Sequence, residues 1–212
     1  SRMTHMAGNS IIGAAKLALE KWHEGDRPAV GSFVYRPPAT TPMDKVDGHC
    51  TPNFTYGYVA QAIFADVNTL TGEVHLRDVI SVDDVGKAIN PTQVEGQIEG
   101  AVVQATGYTI LENWKKRNTK ALTKEFSTYL IPTVLDIPDR TRSVILEYPD
   151  PIGPYGARGM GEMPYLPFAP AVIDAVHQAT GVRFHSFPLT AEKVLRGLGK
   201  LKPEVVGFWD YE

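Results

Sequence analysis

The sequence predicts an α+β fold, because segments with helical and with strand patterns are mixed along the chain without strict alternation. Three observations lead to this prediction. Several segments repeat apolar residues at helical spacing, two segments alternate and are rich in β-branched residues, and a short turn joins those two. The chain has 212 residues, which suffice for one large domain or two small ones with a proper core.

The first predicted helix covers residues 8–24, with Asn9 or Ser10 as its cap and Gly25 at its end. Its apolar residues recur at helical spacing: Ile11, Ile12, Ala15, Leu19 and Trp22. Residues 26–54 are rich in Pro, Thr and Gly, so we expect an irregular crossing segment there.

Residues 55–68 and 73–84 read as two strands, and the turn Asn68-Thr69-Leu70-Thr71-Gly72 makes them a hairpin. Further strands are predicted at residues 143–148 and from Arg183 to Phe187.

A second helix is predicted from Pro91 to about Glu112, with Gly96 and Gly100 one turn apart, where another backbone or a ligand can approach. Its apolar face is formed by Val94, Ile98, Ala101, Val102 and Ala105. Gln93, Gln97 and Gln104 lie on a related stripe, which is either a solvated face or a binding face.

Two more helices complete the expected set. Residues 165–180 form a helix that ends at Gly181, and a last helix from Thr190 to Leu198 begins with a threonine cap. The aromatic and acidic tail from Pro203 to Glu212 is expected to dock on a partner.

Composition excludes several function classes. The net charge of -3 gives no sign of a nucleic-acid or membrane surface. Cys50 is the only cysteine, so the chain can form no internal disulfide and no cysteine-based metal site. No apolar run reaches membrane-spanning length, and we expect a soluble, cytoplasmic protein. Because Ser1 is not preceded by a methionine, we expect a processed chain or a piece of a longer one.

The segment GARGMGE at residues 156–162 contains the strongest candidate for chemistry. Its glycines let the backbone pass close to a bulky group, and Glu162 stands just before a predicted helix. A carboxylate held there can face a ligand and act as a general base. The alternative interpretation is a surface glutamate in a helix-entry turn.

Four stretches together resemble the molybdopterin-binding subunit of the xanthine oxidase and aldehyde oxidoreductase family, in its C-terminal part. They are SRMTHMAGNSII (1–12), DVGKAINPTQVEGQIEGAVVQATG (84–107), KEFSTYLIPTVLDIP (124–138), and GPYGARGMGEMPYLPFAPAVIDAVHQATGVR (153–183) with PLTAEKVL (188–195). The resemblance runs in order over nearly the whole chain, and it implies the C-terminal segment of the molybdopterin-binding domain over residues 1–212.

The resemblance also implies roles for particular residues. Glu162 matches the catalytic glutamate, the general base for oxygen transfer to a substrate. Gln104 matches a glutamine that hydrogen-bonds the cofactor near its metal, and Met160 and Gly161 match the backbone beside the metal. The loop around the pterin and its pyrophosphate is matched by Ser1, Arg2, Met3 and Thr4. Apolar surroundings for Glu162 are expected from Met160, Met163, Tyr165, Leu166 and Phe168. Arg158 either braces a neighbouring carboxylate or the pterin, or is solvated.

The implied cofactor is molybdopterin with molybdenum, which takes no side-chain ligand from this chain; its dinucleotide form, cytosine included, stays open. Iron–sulfur clusters and FAD are expected only on partner subunits or domains. The implied partners are the upstream half of the molybdopterin subunit, iron–sulfur and flavin subunits, and a small-molecule substrate, with no nucleic acid and no membrane. The substrate stays open among purines, aldehydes, nicotinate and other N-heterocycles. The alternative function is a non-catalytic interaction or scaffold subunit.

Overall fold

The structure, a computed structural model, describes residues 2–201. Ser1 and the tail from Pro203 to Glu212 therefore lie outside the described residues. The chain divides into two compact units. Within the described residues, unit 1 consists of residues 2–58, 83–94 and 145–161, and unit 2 consists of residues 59–82, 95–144 and 162–201.

The helices and strands, in chain order, are α1 (Arg2–Glu24), β1 (Tyr58–Val67), β2 (Val74–Asp84), α2 (Pro91–Thr106), β3 (Lys116–Arg117), β4 (Lys120–Ala121), β5 (Arg140–Leu146), α3 (Phe168–Thr180) and α4 (Ala191–Gly197). A π-helical turn, Gly107–Leu111, continues α2, and two 3₁₀ turns lie at Pro154–Gly156 and Met163–Tyr165. This mixture confirms the predicted α+β class. None of the helices within residues 2–201 is long and apolar enough to cross a bilayer.

Helix α1 begins six residues earlier than the sequence predicts, and Gly25 ends it with φ 107°. Asn9 and Ser10 therefore lie inside the helix, and the prediction that either caps it is wrong. Their side chains instead contact other parts of unit 1: the Asn9 amide donates to the Ile152 carbonyl at 3.0 Å, and the Ser10 hydroxyl accepts from the Tyr35 amide at 3.4 Å. Residues 26–54 contain no helix or strand, as expected, apart from one bridge between Thr41 and Thr51.

The predicted hairpin of β1 and β2 is confirmed. The Asn68 side chain accepts from the amides of Leu70 and Thr71, at 3.0 and 3.2 Å, and Gly72 closes the turn with φ 80°. These bonds explain the turn, because asparagine can mimic a backbone acceptor and glycine tolerates the left-handed region.

Strand β5 lies next to β2 in a sheet of order β1-β2-β5. The Asp139 amide donates to the Leu76 carbonyl, and the Val85 amide donates to the Leu146 carbonyl. Because later residues of one strand meet later residues of the other, β5 runs parallel to β2, and the sheet is mixed. The strand predicted at 143–148 is observed at Arg140–Leu146, so it begins three residues earlier and ends two residues earlier than predicted.

The hydrophobic core of unit 2 packs the hairpin against α2, α3 and α4. Its fully buried side chains include Val79, Val102, Phe168, Val172, Val176 and Val194. On α2, four of the five predicted apolar residues are buried, and Val94 is half-buried. Gly181, with φ 74°, ends α3 as predicted, and the Thr190 hydroxyl caps α4 by accepting from the Lys193 amide at 3.3 Å.

The predicted strand from Arg183 to Phe187 is wrong. These residues form no hydrogen-bonded pairing with another strand of the described chain. The Phe184 ring is instead buried in the unit 2 core against Gly197, where an added Cβ would come within 2.7 Å of the ring. The alternating pattern thus reflects the burial of one aromatic side chain. The small antiparallel hairpin of β3 and β4 was not predicted; Asn118 and Thr119 form its turn, both with positive φ.

Candidate functional site

In unit 1, main-chain hydrogen bonds join two of the sequence motifs. The Lys87 amide donates to the Gly156 carbonyl at 2.8 Å, and the Arg158 amide donates to the Val85 carbonyl at 2.8 Å. The DVGKAINP segment, which ends β2, therefore holds the beginning of the GARGMGE loop. Motifs about 70 residues apart in sequence are thus parts of one structural junction.

Gly86 is the residue that makes this junction possible. Its φ is 61°, and a Cβ at this position would lie 2.2 Å from the Gly156 carbonyl oxygen. Both the dihedral angle and the close approach require glycine, since a side chain would strain the backbone and displace the facing chain.

Arg158 is engaged entirely within unit 1. Its guanidinium donates to the Tyr56 carbonyl at 2.6 Å, to the Tyr148 carbonyl at 3.3 Å and to the Asp150 carboxylate at 3.3 Å. The Asp84 carboxylate lies 3.6 Å from its Nε. Of the interpretations left open by the sequence, the structure supports the brace for neighbouring carboxylates, because only 13% of the side chain is exposed.

The Asp150 carboxylate is nearly buried and strongly hydrogen-bonded. Burial alone raises its pKa, but the Thr55 hydroxyl at 2.6 Å, the amides of Ile152 and Gly153, and the positive charge of Arg158 together hold the pKa below its ordinary value of 3.8. These bonds favour the charged carboxylate and fix the chain just before the loop. Asp84 ends β2, as predicted, and accepts from the amides of Gly86 and Tyr148.

A cavity of about 390 Å³ lies in unit 1 beside this loop. Arg2 and Gly159 both line it, so the structure brings the first turn of α1 to the GARGMGE loop. His5 lines it as well, is 2% exposed, and has no hydrogen-bond partner for Nδ1 among the described residues. Met3 and Thr4 are exposed and do not line the cavity.

The segment expected to form a pterin loop is helical in the described part, since Arg2, Met3 and Thr4 form the first turn of α1. His5 was not among the predicted site residues. Its one signal in the sequence is its position inside the first motif, residues 1–12. Met160 and Gly161, at the end of the loop in unit 1, are both half-buried.

In unit 2, Glu162 precedes the 3₁₀ turn Met163–Tyr165, and its carbonyl accepts from the Tyr165 amide at 3.0 Å. Its side chain is exposed, and no other described residue hydrogen-bonds its carboxylate. Within the described part of the chain, the apolar enclosure expected around it is not formed: Phe168 is fully buried in the core, while Leu166 is 71% exposed. The carboxylate is therefore free for an external group.

Gln104 also belongs to unit 2 and is exposed on α2, with no partner for its amide among the described residues. Gly96 and Gly100 are exposed on the same helix, and a Cβ on either would meet no atom within 4 Å. The close approach that these glycines were expected to allow is not made within the described chain. The outer side of α2 thus offers an unengaged amide and two bare stretches of backbone.

A further residue that sequence reasoning missed supports the turn that begins at Glu162. The Gln61 side chain, on β1, donates to the Pro164 carbonyl at 2.7 Å and to the Ser81 hydroxyl at 3.0 Å. The signal was available in the alternating pattern of β1, where Gln61 occupies an inward position between apolar residues.

Comparison with known proteins identifies the family. The molybdopterin cofactor-binding domain family matches residues 5–138. The chain is similar to the probable hypoxanthine oxidase of Escherichia coli (strain K12), with 34% identity over 72% of this chain and 16% of that protein. It is also similar to the aldehyde oxidoreductase of Megalodesulfovibrio gigas, with 29% identity over 93% of this chain and 23% of that protein.

Among solved structures, the aldehyde oxidoreductase of Desulfovibrio desulfuricans superposes with a TM-score of 0.78 and 28% identity, over 92% of this chain and 22% of that one. The chain thus spans about a fifth of the length of these relatives. The match to the family over residues 5–138 and the likeness in fold agree with each other. The chain therefore belongs to the molybdopterin cofactor-binding domain family, of the xanthine oxidase and aldehyde oxidoreductase type.

Proposed function

We propose that this chain is part of a molybdenum hydroxylase that oxidises a C–H bond of an N-heterocycle or an aldehyde, and that Glu162 is its general base. The observation that carries the proposal is the state of the Glu162 carboxylate, which is exposed and unengaged at the end of a glycine-rich loop. By contrast, Asp84 and Asp150 of unit 1 are committed to Arg158 and to backbone amides.

The donor set fits a molybdopterin. Among residues 2–201 no group of three or more His, Cys, Asp or Glu side chains could hold a metal ion. A molybdopterin brings its own ligands for the metal, so the proposal requires none from this chain. The buried, unpartnered His5 Nδ1 at the cavity of unit 1 is the kind of atom that a polar ligand satisfies. Arg2 lines the same cavity, and a guanidinium suits a pyrophosphate.

The residues that would hold the cofactor follow from these positions. Arg2, Met3 and Thr4 would lie along its phosphates, with the Arg2 guanidinium as the pairing cation. The half-buried backbone of Met160 and Gly161 would lie against it, and the Gln104 amide would hydrogen-bond it. When bound, the cofactor supplies the two-electron oxidation of the substrate.

The work of the protein is then to hold and move a proton. The Glu162 carboxylate would accept, at an Oε atom, the proton released by a water-derived hydroxyl as that oxygen bonds to the substrate carbon. The C–H bond at that carbon breaks in the same step, and its electron pair would leave to the bound cofactor. General bases of this kind contribute about 10²–10⁴ in rate. Exclusion of water from this carboxylate must come from a partner segment, because the described residues leave it exposed.

The proposal includes partners. Apolar side chains of unit 2 are exposed along residues 126–135: Phe126, Leu130, Ile131, Val134 and Leu135. An exposed apolar segment of this kind marks a surface for another protein part. We infer that it packs against the upstream half of the molybdopterin subunit, with iron–sulfur and flavin centres on other subunits that transfer electrons.

The same exposed segment favours the second candidate, a non-catalytic scaffold subunit that keeps the fold and docks on others. The two functions differ at Glu162 and Gln104, because a scaffold needs neither an unengaged carboxylate nor an unengaged amide at these positions.

The test is Glu162→Gln in the complete enzyme. The matched control is Glu73→Gln, the same change at an exposed residue of unit 2 that directly follows the hairpin turn. Glutamine is nearly isosteric but cannot accept a proton at neutral pH. We expect turnover to fall about 10³–10⁴-fold in Glu162→Gln, with normal molybdenum content by elemental analysis, and no change in Glu73→Gln. Near-wild-type turnover of a fully loaded Glu162→Gln enzyme would refute the role and favour the scaffold.

A further inference from the structure

We propose that Gln61 is a positioning residue for Glu162, acting through the backbone of the 3₁₀ turn Met163–Tyr165. This inference rests on the proposed role of Glu162 as the general base. It adds a residue on β1 that lies in none of the motifs considered above.

The first observation is the position of Gln61 in the sheet. Strand β1 alternates regularly between exposed and half-buried residues, and its half-buried residues are Val59, Gln61, Ile63, Ala65 and Val67. Gln61 is the one polar side chain on that inward face. Burying a polar group on such a face lowers the stability of the fold unless the group is hydrogen-bonded. The hydrogen bonds of the Gln61 amide therefore indicate why a glutamine is tolerated there.

The second observation is what the side chain contacts. The Nε2 group donates to the Pro164 carbonyl at 2.7 Å and to the Ser81 hydroxyl at 3.0 Å. Because a carbonyl only accepts, the bond to Pro164 fixes which end of the amide faces the turn. The other end, Oε1, is buried and has no hydrogen-bond partner among the described residues. The side chain therefore holds the turn through Nε2 while its Oε1 accepts no hydrogen bond from the described residues.

The third observation is how weakly the turn is held by itself. It has two local hydrogen bonds, from the Tyr165 amide to the Glu162 carbonyl at 3.0 Å and from the Leu166 amide to the Met163 carbonyl at 3.2 Å. Short 3₁₀ turns have poor hydrogen-bond geometry. The bond from Gln61 ties the middle of the turn to the sheet, one residue away from the amide that pairs with Glu162.

Together these contacts connect the hairpin of β1 and β2 to the turn that follows Glu162, the proposed general base. Pro164 is buried, Glu162 two residues earlier is exposed, and the backbone between them is short. A displacement of about 1 Å at a reacting group can lower a rate about 10²-fold. Loss of the bond from Gln61 should thus affect the chemical step and leave binding of the substrate and the cofactor nearly unchanged.

The experiment compares Gln61→Met with Ile63→Val in the complete enzyme. Methionine keeps the length of the side chain and removes the donor, whereas Ile63→Val perturbs the same inward face of β1 and removes no hydrogen bond to the turn. We expect Gln61→Met to lower kcat roughly 10- to 100-fold with unchanged KM and molybdenum content. Amide hydrogen exchange should become faster in a peptide covering residues 163–166 in Gln61→Met and stay normal in Ile63→Val.

The outcomes separate this inference from the proposed function. Wild-type kcat and wild-type exchange at residues 163–166 in Gln61→Met would overturn the positioning role, even when Glu162→Gln is inactive. Lower stability with unchanged kcat would show a merely structural residue and would also overturn it. Wild-type turnover of Glu162→Gln would overturn both proposals. Should Gln61→Met fail to assemble, Gln61→Asn makes the same comparison, because it keeps the amide but is one methylene too short to reach Pro164.

Discussion

The backbone of Gly86 lies against Gly156 so closely that a Cβ on Gly86 would come within 2.2 Å of the Gly156 carbonyl oxygen. Gly86→Ala should therefore destabilise the chain by more than the roughly 1–2 kcal/mol that a left-handed conformation alone costs an alanine. Urea denaturation measures this change. The matched control is Gly96→Ala, in open space on α2, which should stabilise the helix by roughly 0.5–1 kcal/mol. Equal stability of the two variants would contradict the structure at Gly86.

A second prediction concerns Arg158. Arg158→Gln would leave the nearly buried carboxylates of Asp84 and Asp150 without their cation, and breaking such a buried pair costs about 3–5 kcal/mol. The control is Arg77→Gln, whose guanidinium pairs with Asp66 and Asp139 on the exposed surface, where ion pairs contribute little. Unfolding midpoints of both variants would check this, and a small effect at Arg158 would argue that the cluster is solvated.

The lowered pKa of Asp150 predicts a pH dependence of stability. Because the folded-state pKa lies below the ordinary value of 3.8, the carboxylate stabilises the fold fully above that value, and this contribution is lost as the pH falls through the folded-state pKa. Wild type should therefore exceed Asp150→Asn in unfolding free energy at neutral pH, and the difference should shrink in acid. Denaturation curves at several pH values test this. A gap that stays constant down to full protonation would show that the charge of Asp150 does not contribute.

The fourth prediction separates the cofactor role of Gln104 from a solvated face. Gln104→Ala in the complete enzyme should lower molybdenum retention together with the rate, since one lost hydrogen bond is worth roughly 0.5–1.5 kcal/mol, or up to about tenfold in affinity. Gln97→Ala, exposed on the same helix, should retain molybdenum normally. Elemental analysis after dialysis makes the comparison. Identical retention in both variants would assign Gln104 to the solvated face.

Much of the fold could be predicted from local patterns. The Asn68–Gly72 turn, the period of α2 and the Gly181 cap each have a local cause in the sequence, and each is observed. The segment from Arg183 to Phe187 shows the limit, because alternation alone does not reveal whether a partner strand exists. The Asn118-Thr119 turn was missed because it lacks the glycine that usually marks a two-residue hairpin.

The candidate site was predictable only in part. Glu162 and Gln104 were named from motifs, and both are exposed and unengaged in the structure. The environment of Glu162 could not be predicted, because Phe168 and Leu166, two positions apart, lie in opposite surroundings. The supporting bonds of Arg158 and Gln61 join residues about 100 positions apart in sequence, and no local pattern encodes such a distance.

The junction between the end of β2 and the GARGMGE loop is made by main-chain groups. Among residues 2–201, the exposed side chain of Lys87 pairs only with the Glu147 carboxylate at the surface. Position 87 can therefore change chemically during evolution while the joint keeps its geometry. The same freedom is useful in the laboratory, because Cys50 is the only cysteine of the chain. A Cys50→Ser, Lys87→Cys variant of this chain would accept a single fluorophore or spin label beside the loop, as a probe of its surroundings.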